Sequence, residues 1–112
     1  MAQSNPPFMT GVPELLVLRL LARREMYGYE LVKSVRLTTG EAISIGEGVI
    51  YPVLHGLERN GALKSKRKTV DGRTRVYYAL TDKGRKRLER LQSEWARIQA
   101  GVAAALENPG RA

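Results

Sequence analysis

The residues of this chain with the most evident chemistry are cations. Between Lys64 and Arg90, eleven lysines and arginines stand against only Asp71, Asp82 and Glu89. The stretches before and after it are each balanced, so it carries the whole net charge of +8. Within it Lys64, Lys66 and Lys68 alternate with other residues, as do Arg73, Arg75 and Tyr77. A period of two places each set on one face of a strand. A localised basic patch is the electrostatic footprint of a polyanion partner, because phosphate contacts release counterions and steer encounter. The competing reading of such a patch is a solvated, solubilising surface.

Other chemistry is thin. The chain has no cysteine and one histidine, His55, which removes disulfide scaffolds, thiolate zinc sites and cysteine nucleophiles and leaves a metal site without partner ligands. No Ser/His/acid constellation, phosphate-cradling glycine loop or spare carboxylate pair is visible, and Gly46 and Gly48 accompany a helix start rather than follow a strand. An enzyme is therefore not expected, nor a cofactor, nor a metal. The apolar run from Val12 to Ala22 is interrupted by Arg19 and too short to span a bilayer, and the N-terminus has no charged region followed by an apolar core. These features predict a cytoplasmic, nucleoid-associated location, with no membrane partner.

The elements that must hold the basic stretch follow from periodicity. At 112 residues the chain has the size of one domain with an appendage. Residues 1–11 read as a flexible tail. Pro13 suits the first turn of a helix that is apolar nearly all round, through Leu15, Leu16, Val17, Leu18, Leu20 and Leu21. A second, amphipathic helix spans roughly Gly28 to Thr38, with Gly40 as its stop. Ser44 and Glu47 form a capping-box pattern for a third helix running from Ser44 to Asn60. Its inward stripe is Ile50, Val53, Leu54 and Leu57; Gly48, Tyr51, Pro52, His55 and Arg59 lie opposite, with Pro52 costing a hydrogen bond or delaying the start. The period then changes to two. Leu63 to Thr69 and Thr74 to Leu80 read as strands around an Asp71-Gly72 hairpin turn. Thr81 caps a last helix on which Leu88, Leu91, Trp95, Ile98, Val102 and Ala105 recur at heptad spacing. That seam outruns the domain it grows from, which argues for a second copy of the chain.

The fold class is thus mostly α with a small β-hairpin: a winged helix-turn-helix (α-α-α-β-β) over residues 12–80, a long C-terminal dimerisation helix over 81–107, and a tail over 108–112. In such folds one helix enters the major groove of double-stranded DNA and the hairpin touches flanking backbone.

At this point the residues resemble a known family. The blocks Tyr27-Gly28-Tyr29-Glu30-Leu31, then Glu47-Gly48-Val49-Ile50-Tyr51-Pro52-Val53-Leu54-His55-Gly56-Leu57-Glu58-Arg59-Asn60-Gly61, then Tyr77-Tyr78-Ala79-Leu80-Thr81-Asp82-Lys83-Gly84 are similar, in order and spacing, to the three signature blocks of the PadR family of transcriptional regulators. The likeness covers about Val12 to Leu106. It implies a homodimer, usually a repressor, in many members released from DNA by a small molecule; two wings and two recognition helices would then meet one inverted-repeat operator, with half-sites about one helical turn apart. It places Tyr51, Pro52 and His55 on the DNA-facing part of the recognition helix and Arg73 and Arg75 at backbone contacts. Gly56 departs from the pattern where a basic residue is common, which puts one phosphate contact in doubt. In the short, multidrug-responsive branch a tryptophan on the last helix stacks on flat aromatic compounds, and Trp95 occupies the similar position.

The expected DNA-binding set is therefore Gly48, Tyr51, Pro52, His55, Arg59, Lys64, Lys66, Lys68, Arg73 and Arg75. The expected dimer interface is Leu88, Leu91, Trp95, Ile98, Val102 and Ala105. Trp95 is either an effector contact or interface area alone. Tyr27 and Tyr29, beside a helix start, are read as packing on the core. Two other functions fit the same residues: a DNA-binding protein without sequence preference, and a protein-interaction adaptor that uses the seam and does not bind DNA.

Overall fold

In the computed structural model, which describes residues 11–110, the elements run α1 (Val12–Leu21), β1 (Met26–Tyr27), α2 (Gly28–Thr38), α3 (Glu47–Arg59), β2 (Leu63–Val70), β3 (Arg73–Leu80) and α4 (Asp82–Glu107). The expected N-terminal tail, apart from Gly11, lies outside the described residues, as do Arg111 and Ala112 of the C-terminal one. Helix α1 is the hub. It starts at Val12 with Pro13 and Glu14 in the first turn, and its near-continuous apolar surface buries Val17, Leu18, Leu20 and Leu21 among the other helices and the sheet. Leu31 and Val35 from α2, Ile50 and Leu54 from α3, and Tyr78 and Leu80 from β3 complete the core. Each such side chain contributes about 1.5–3 kcal/mol by leaving water. Burial, with Glu58 and Tyr51 nearby, pushes the Tyr78 phenol above its usual pKa.

The sheet has three antiparallel strands in the order β1-β3-β2, not the hairpin alone. The third strand, β1, pairs Met26 with Tyr78 and Tyr27 with Tyr77. Two residues are too short to show alternation, so β1 has no sequence signature. In the hairpin, Asp71 (φ 52°) and Gly72 (φ 76°) both take the left-handed conformation that a two-residue primed turn demands. The resulting register sets Lys66 opposite Tyr77 and Lys68 opposite Arg75.

Helix α3 begins two residues later than the Ser44 capping signal suggests. Its N-cap is Gly46, and no side chain caps it. The capping box fails because Ile45 is needed elsewhere: it is buried in the same core cluster as Ile50. With Gly46 as N-cap these are the N′ and N4 positions of a hydrophobic staple, which fixes the entry of the chain in place of the box. Pro52 stays inside the helix. It removes the amide that would bond to the Gly48 carbonyl, and both residues are exposed, where solvent meets the loss.

At the start of α4 the capping signal is met. The Thr81 hydroxyl accepts from the Gly84 amide (3.1 Å) and donates to the Gly61 carbonyl (2.6 Å), while the Thr81 amide donates to the Ala62 carbonyl (3.1 Å). Gly84 lies so close to this crossing that a Cβ would sit 2.2 Å from the Ala62 oxygen and 2.7 Å from a Leu80 methyl. The opposite flank of α4 is tied to α1 by Arg87, whose Nε lies 2.5 Å from the Glu14 carboxylate. That bond raises the Arg87 pKa further above its ordinary value.

Loss of the hydroxyl and loss of the space are separable. Thr81→Ala is expected to cost about 1 kcal/mol, the value of an N-cap. Gly84→Ala, which must push backbone, is expected to cost about 2–3 kcal/mol. Urea unfolding of the two variants checks the order.

Candidate nucleic-acid interface

Helix α3 turns Ile50, Leu54 and Leu57 into the core, which leaves Gly48, Pro52, His55 and Arg59 exposed on the opposite side. Their spacing of four, three and four makes one straight stripe. Tyr51 belongs only partly to that stripe. It is half-buried, and its ring lies on Gly28, the first residue of α2, where a Cβ would stand 2.5 Å from the phenol Cζ and Oη. The glycine of the Tyr27-Gly28-Tyr29 block is thus the bed for Tyr51. The ring of His55 follows, 6.1 Å from that of Tyr51.

The wing divides its residues by strand parity. Leu63, Tyr78 and Leu80 point into the core. Lys64, Lys66, Lys68, Arg73, Arg75, Tyr77 and, on β1, Tyr27 share the other face, as their pairing requires. On that face a ladder forms. Glu25 binds Lys68, the Lys68 ammonium lies 4.7 Å from the Tyr77 ring centre, Tyr77 meets Tyr27 edge-on at 5.4 Å, and the Arg75 guanidinium stacks 4.4 Å from the Tyr27 ring centre. The Lys68 bond holds the Glu25 carboxyl below its usual pKa. Lys68 is therefore held between Glu25 and the Tyr77 ring, a structural role beside its expected place in the DNA-binding set. Charge counting could not find this, since Glu25 lies 43 positions away. Among the described residues Arg59, Lys64, Lys66, Arg73 and Arg75 have no carboxylate partner. The wing base is joined to α3 by the Ser65 hydroxyl, which donates to Glu58 at 2.6 Å.

An open cleft of about 610 Å³ lies between α3, the start of α2 and the tip half of β3, with Tyr27, Tyr29, Tyr51, His55, Arg73 and Arg75 in its walls. Tyr29 is 53% exposed and Tyr27 only half-buried, so neither packs into the core as expected. The signal was their recurrence around a glycine that another aromatic covers.

Helix α4 leaves the domain after its third turn. Leu88, expected on the dimer seam, is buried in the core of its own domain, and Leu91 packs on the edge of that core. Heptad spacing does not register where a domain ends. Trp95, Ile98 and Val102 are about half exposed, Ala105 is exposed, and Leu106, absent from the expected seam, is 81% exposed. Val12, Leu15, Leu91, Trp95 and Ile98 border a shallow apolar groove where α4 passes α1. No helix among the described residues is long and apolar enough to cross a membrane.

A family model described as "Transcriptional regulator PadR-like family" matches residues 17–90. The transcriptional regulator Rv3488 of Mycobacterium tuberculosis is 33% identical over 78 residues, covering 70% of each chain. A solved transcriptional regulator from Clostridium thermocellum superposes with a TM-score of 0.81 at 29% identity, covering 88% of this chain and 97% of that one. A PadR family transcriptional regulator from Eggerthella lenta gives 0.75 at 34% identity, over 88% and 85%. These relatives are regulators of transcription, not enzymes.

The occupied state of Lys68 has a measurable result. Lys68→Ala is expected to leave the salt dependence of DNA binding nearly unchanged in the native background, and to lower the log–log slope by about one in a Glu25→Gln background, where the lysine is free. Fluorescence anisotropy of labelled DNA over a salt series reads both.

Proposed function

This chain belongs to the PadR-like family of transcriptional regulators, and from that premise we propose that it is a homodimeric repressor that binds an inverted-repeat operator and is released by a flat aromatic effector. The observation that carries the DNA-binding part is the continuity of one surface. The exposed stripe of α3 (Gly48, Pro52, His55, Arg59) meets the cleft at His55 and continues to Arg73 and Arg75, and among the described residues no carboxylate pairs with these arginines. The stripe suits the major groove, the wing arginines suit flanking phosphates, and Lys64 and Lys66 add sequence-independent attraction.

The dimer reading rests on the overhang of α4. The helix has 26 residues, about 39 Å, and beyond Leu91 it exposes Trp95, Ile98, Val102 and Leu106 on one side. A second copy would bury that side and hold two α3 helices about one DNA turn apart. Trp95, beside the groove with Val12 and Leu15, offers a ring on which a flat aromatic compound stacks. Such a compound shifts the DNA affinity only by binding the two spacings of the α3 helices differently. On this reading the chain belongs with the short, multidrug-responsive branch of the family and works in the cytoplasm beside the nucleoid.

Anisotropy titration of a labelled fragment from upstream of the protein's own gene, beside a shuffled fragment of equal length, tests the reading. Saturable binding to the native fragment that persists at physiological salt supports it. Equal, salt-erased binding to both makes the protein a backbone-only binder, and no binding at all makes it an adaptor. Ile98→Asp is expected to yield a monomer by light scattering and to weaken operator binding at least about tenfold, because two half-sites no longer act together. Trp95→Ala is expected to abolish the response to aromatic compounds. An unchanged response with an unchanged dimer would remove Trp95 from effector binding.

A further inference from the structure

We infer that the cleft between α3 and the tip half of β3 is the seat of a single phosphodiester of the DNA backbone, and that Tyr27 is a positioning residue that orients Arg75 into it. The inference rests on the DNA-binding reading above and assigns a specific site within it.

The walls define the class of ligand. Two guanidiniums, Arg73 and Arg75, and the phenols of Tyr29 and Tyr51 border the cleft, and no acidic residue does. Its occupant is therefore an anion that accepts hydrogen bonds, flanked by surface that suits ring faces. The cleft is open, and His55 belongs both to its wall and to the exposed stripe of α3. A polymer lying along the stripe passes over the cleft, whereas a free nucleotide has no enclosing wall to desolvate it. A backbone phosphate with its adjoining sugars matches both features.

The second part follows from the ladder. A lone exposed arginine samples many rotamers, and each contact it makes costs the ordering of its side chain. Arg75 is already ordered: its guanidinium stacks 4.4 Å from the centre of the Tyr27 ring, and Tyr27 is held edge-on by Tyr77 at 5.4 Å. A guanidinium held over a ring face uses no N–H group in that contact, so all five donors stay available for a bidentate phosphate contact. Glu25 and Lys68 brace the far end of the same ladder. Tyr27 acts through Arg75 and need not touch DNA itself.

The test uses the full chain and anisotropy over a salt series on the native upstream fragment and its shuffled counterpart, with thermal unfolding of each variant alongside. Arg75→Gln is expected to weaken binding to both fragments by about tenfold and to lower the log–log salt slope by about one. Tyr27→Ala is expected to weaken binding severalfold, Tyr27→Phe to restore it, and the double variant Tyr27→Ala/Arg75→Gln to bind no worse than Arg75→Gln alone. A merely structural Tyr27 would instead add its loss to that of Arg75, and that additivity would overturn the positioning role. An unchanged slope for Arg75→Gln in a protein whose native form binds DNA would overturn the phosphate seat. Native protein that binds no DNA fails at the earlier step, the DNA-binding reading itself. Inorganic phosphate exchanged for chloride at constant ionic strength provides the remaining arm. If it raises the melting temperature of the native protein and not of Arg75→Gln, the seat takes a free anion and the DNA-backbone assignment falls.

Discussion

Where α4 leaves β3, the Thr81 hydroxyl, the Gly84 amide and the carbonyls of Gly61 and Ala62 meet at one crossing. Two stretches 20 positions apart meet there, the turn that joins α3 to β2 and the start of α4. The hydrogen bonds are ordinary in strength, about 1 kcal/mol each. Their constraint is geometric. With no side chain at position 84 the first turn of the 26-residue helix lies close against the Ala62 carbonyl, and that approach fixes how the helix leaves the sheet. The Glu14–Arg87 bond holds a second point along α4 against α1. Two fixed points define a line, so the overhanging apolar side takes its bearing from the core of the domain.

The exposed face of α3 is the complement of the same packing. Ile45 and Ile50 anchor the start of α3, and Leu54 and Leu57 commit its inner side. Burial of four aliphatic groups, at about 1.5–3 kcal/mol each, outweighs an unmade capping box and the bond lost at Pro52. Gly48, Pro52, His55 and Arg59 are exposed because the opposite positions cannot be. On the wing, strand parity decides in the same way which residues face out, and the aromatic ladder then decides which of those cations are free.

Much of this was legible in the residues, for reasons that differ by element. Asp71-Gly72 and Thr81 act on neighbours one to three positions away, so their effects could be read directly. The Ser44–Glu47 pattern is equally local and still misleads, because the burial of Ile45 is a tertiary demand that overrides it. Strand β1 exists only through β3, and two residues leave no period. Leu88 satisfies a heptad repeat while serving the core. Lys68 counts as a free cation until Glu25, 43 positions away, is placed beside it. Tyr27 and Tyr29 could be recognised as a block around Gly28, but what they surround depends on where Tyr51 lies.

The shortness of β1 leaves a sheet with two unfinished margins. Among the described residues the tip half of β3, beyond Tyr77, has no strand neighbour on the β1 side, and β2 is the last strand on the other. Such margins are templates on which an unfolded or foreign strand can add, the usual route to edge-to-edge aggregation. Here each carries its own deterrent: Arg73 and Arg75 along the open part of β3, and Lys64, Lys66 and Arg67 along β2. A strand docking there would have to bring those charges together with its own and strip their water. The cations that suit the wing to nucleic acid therefore also keep the chain from polymerising through its sheet, and a wing evolved toward neutrality would lose colloidal stability along with its charge.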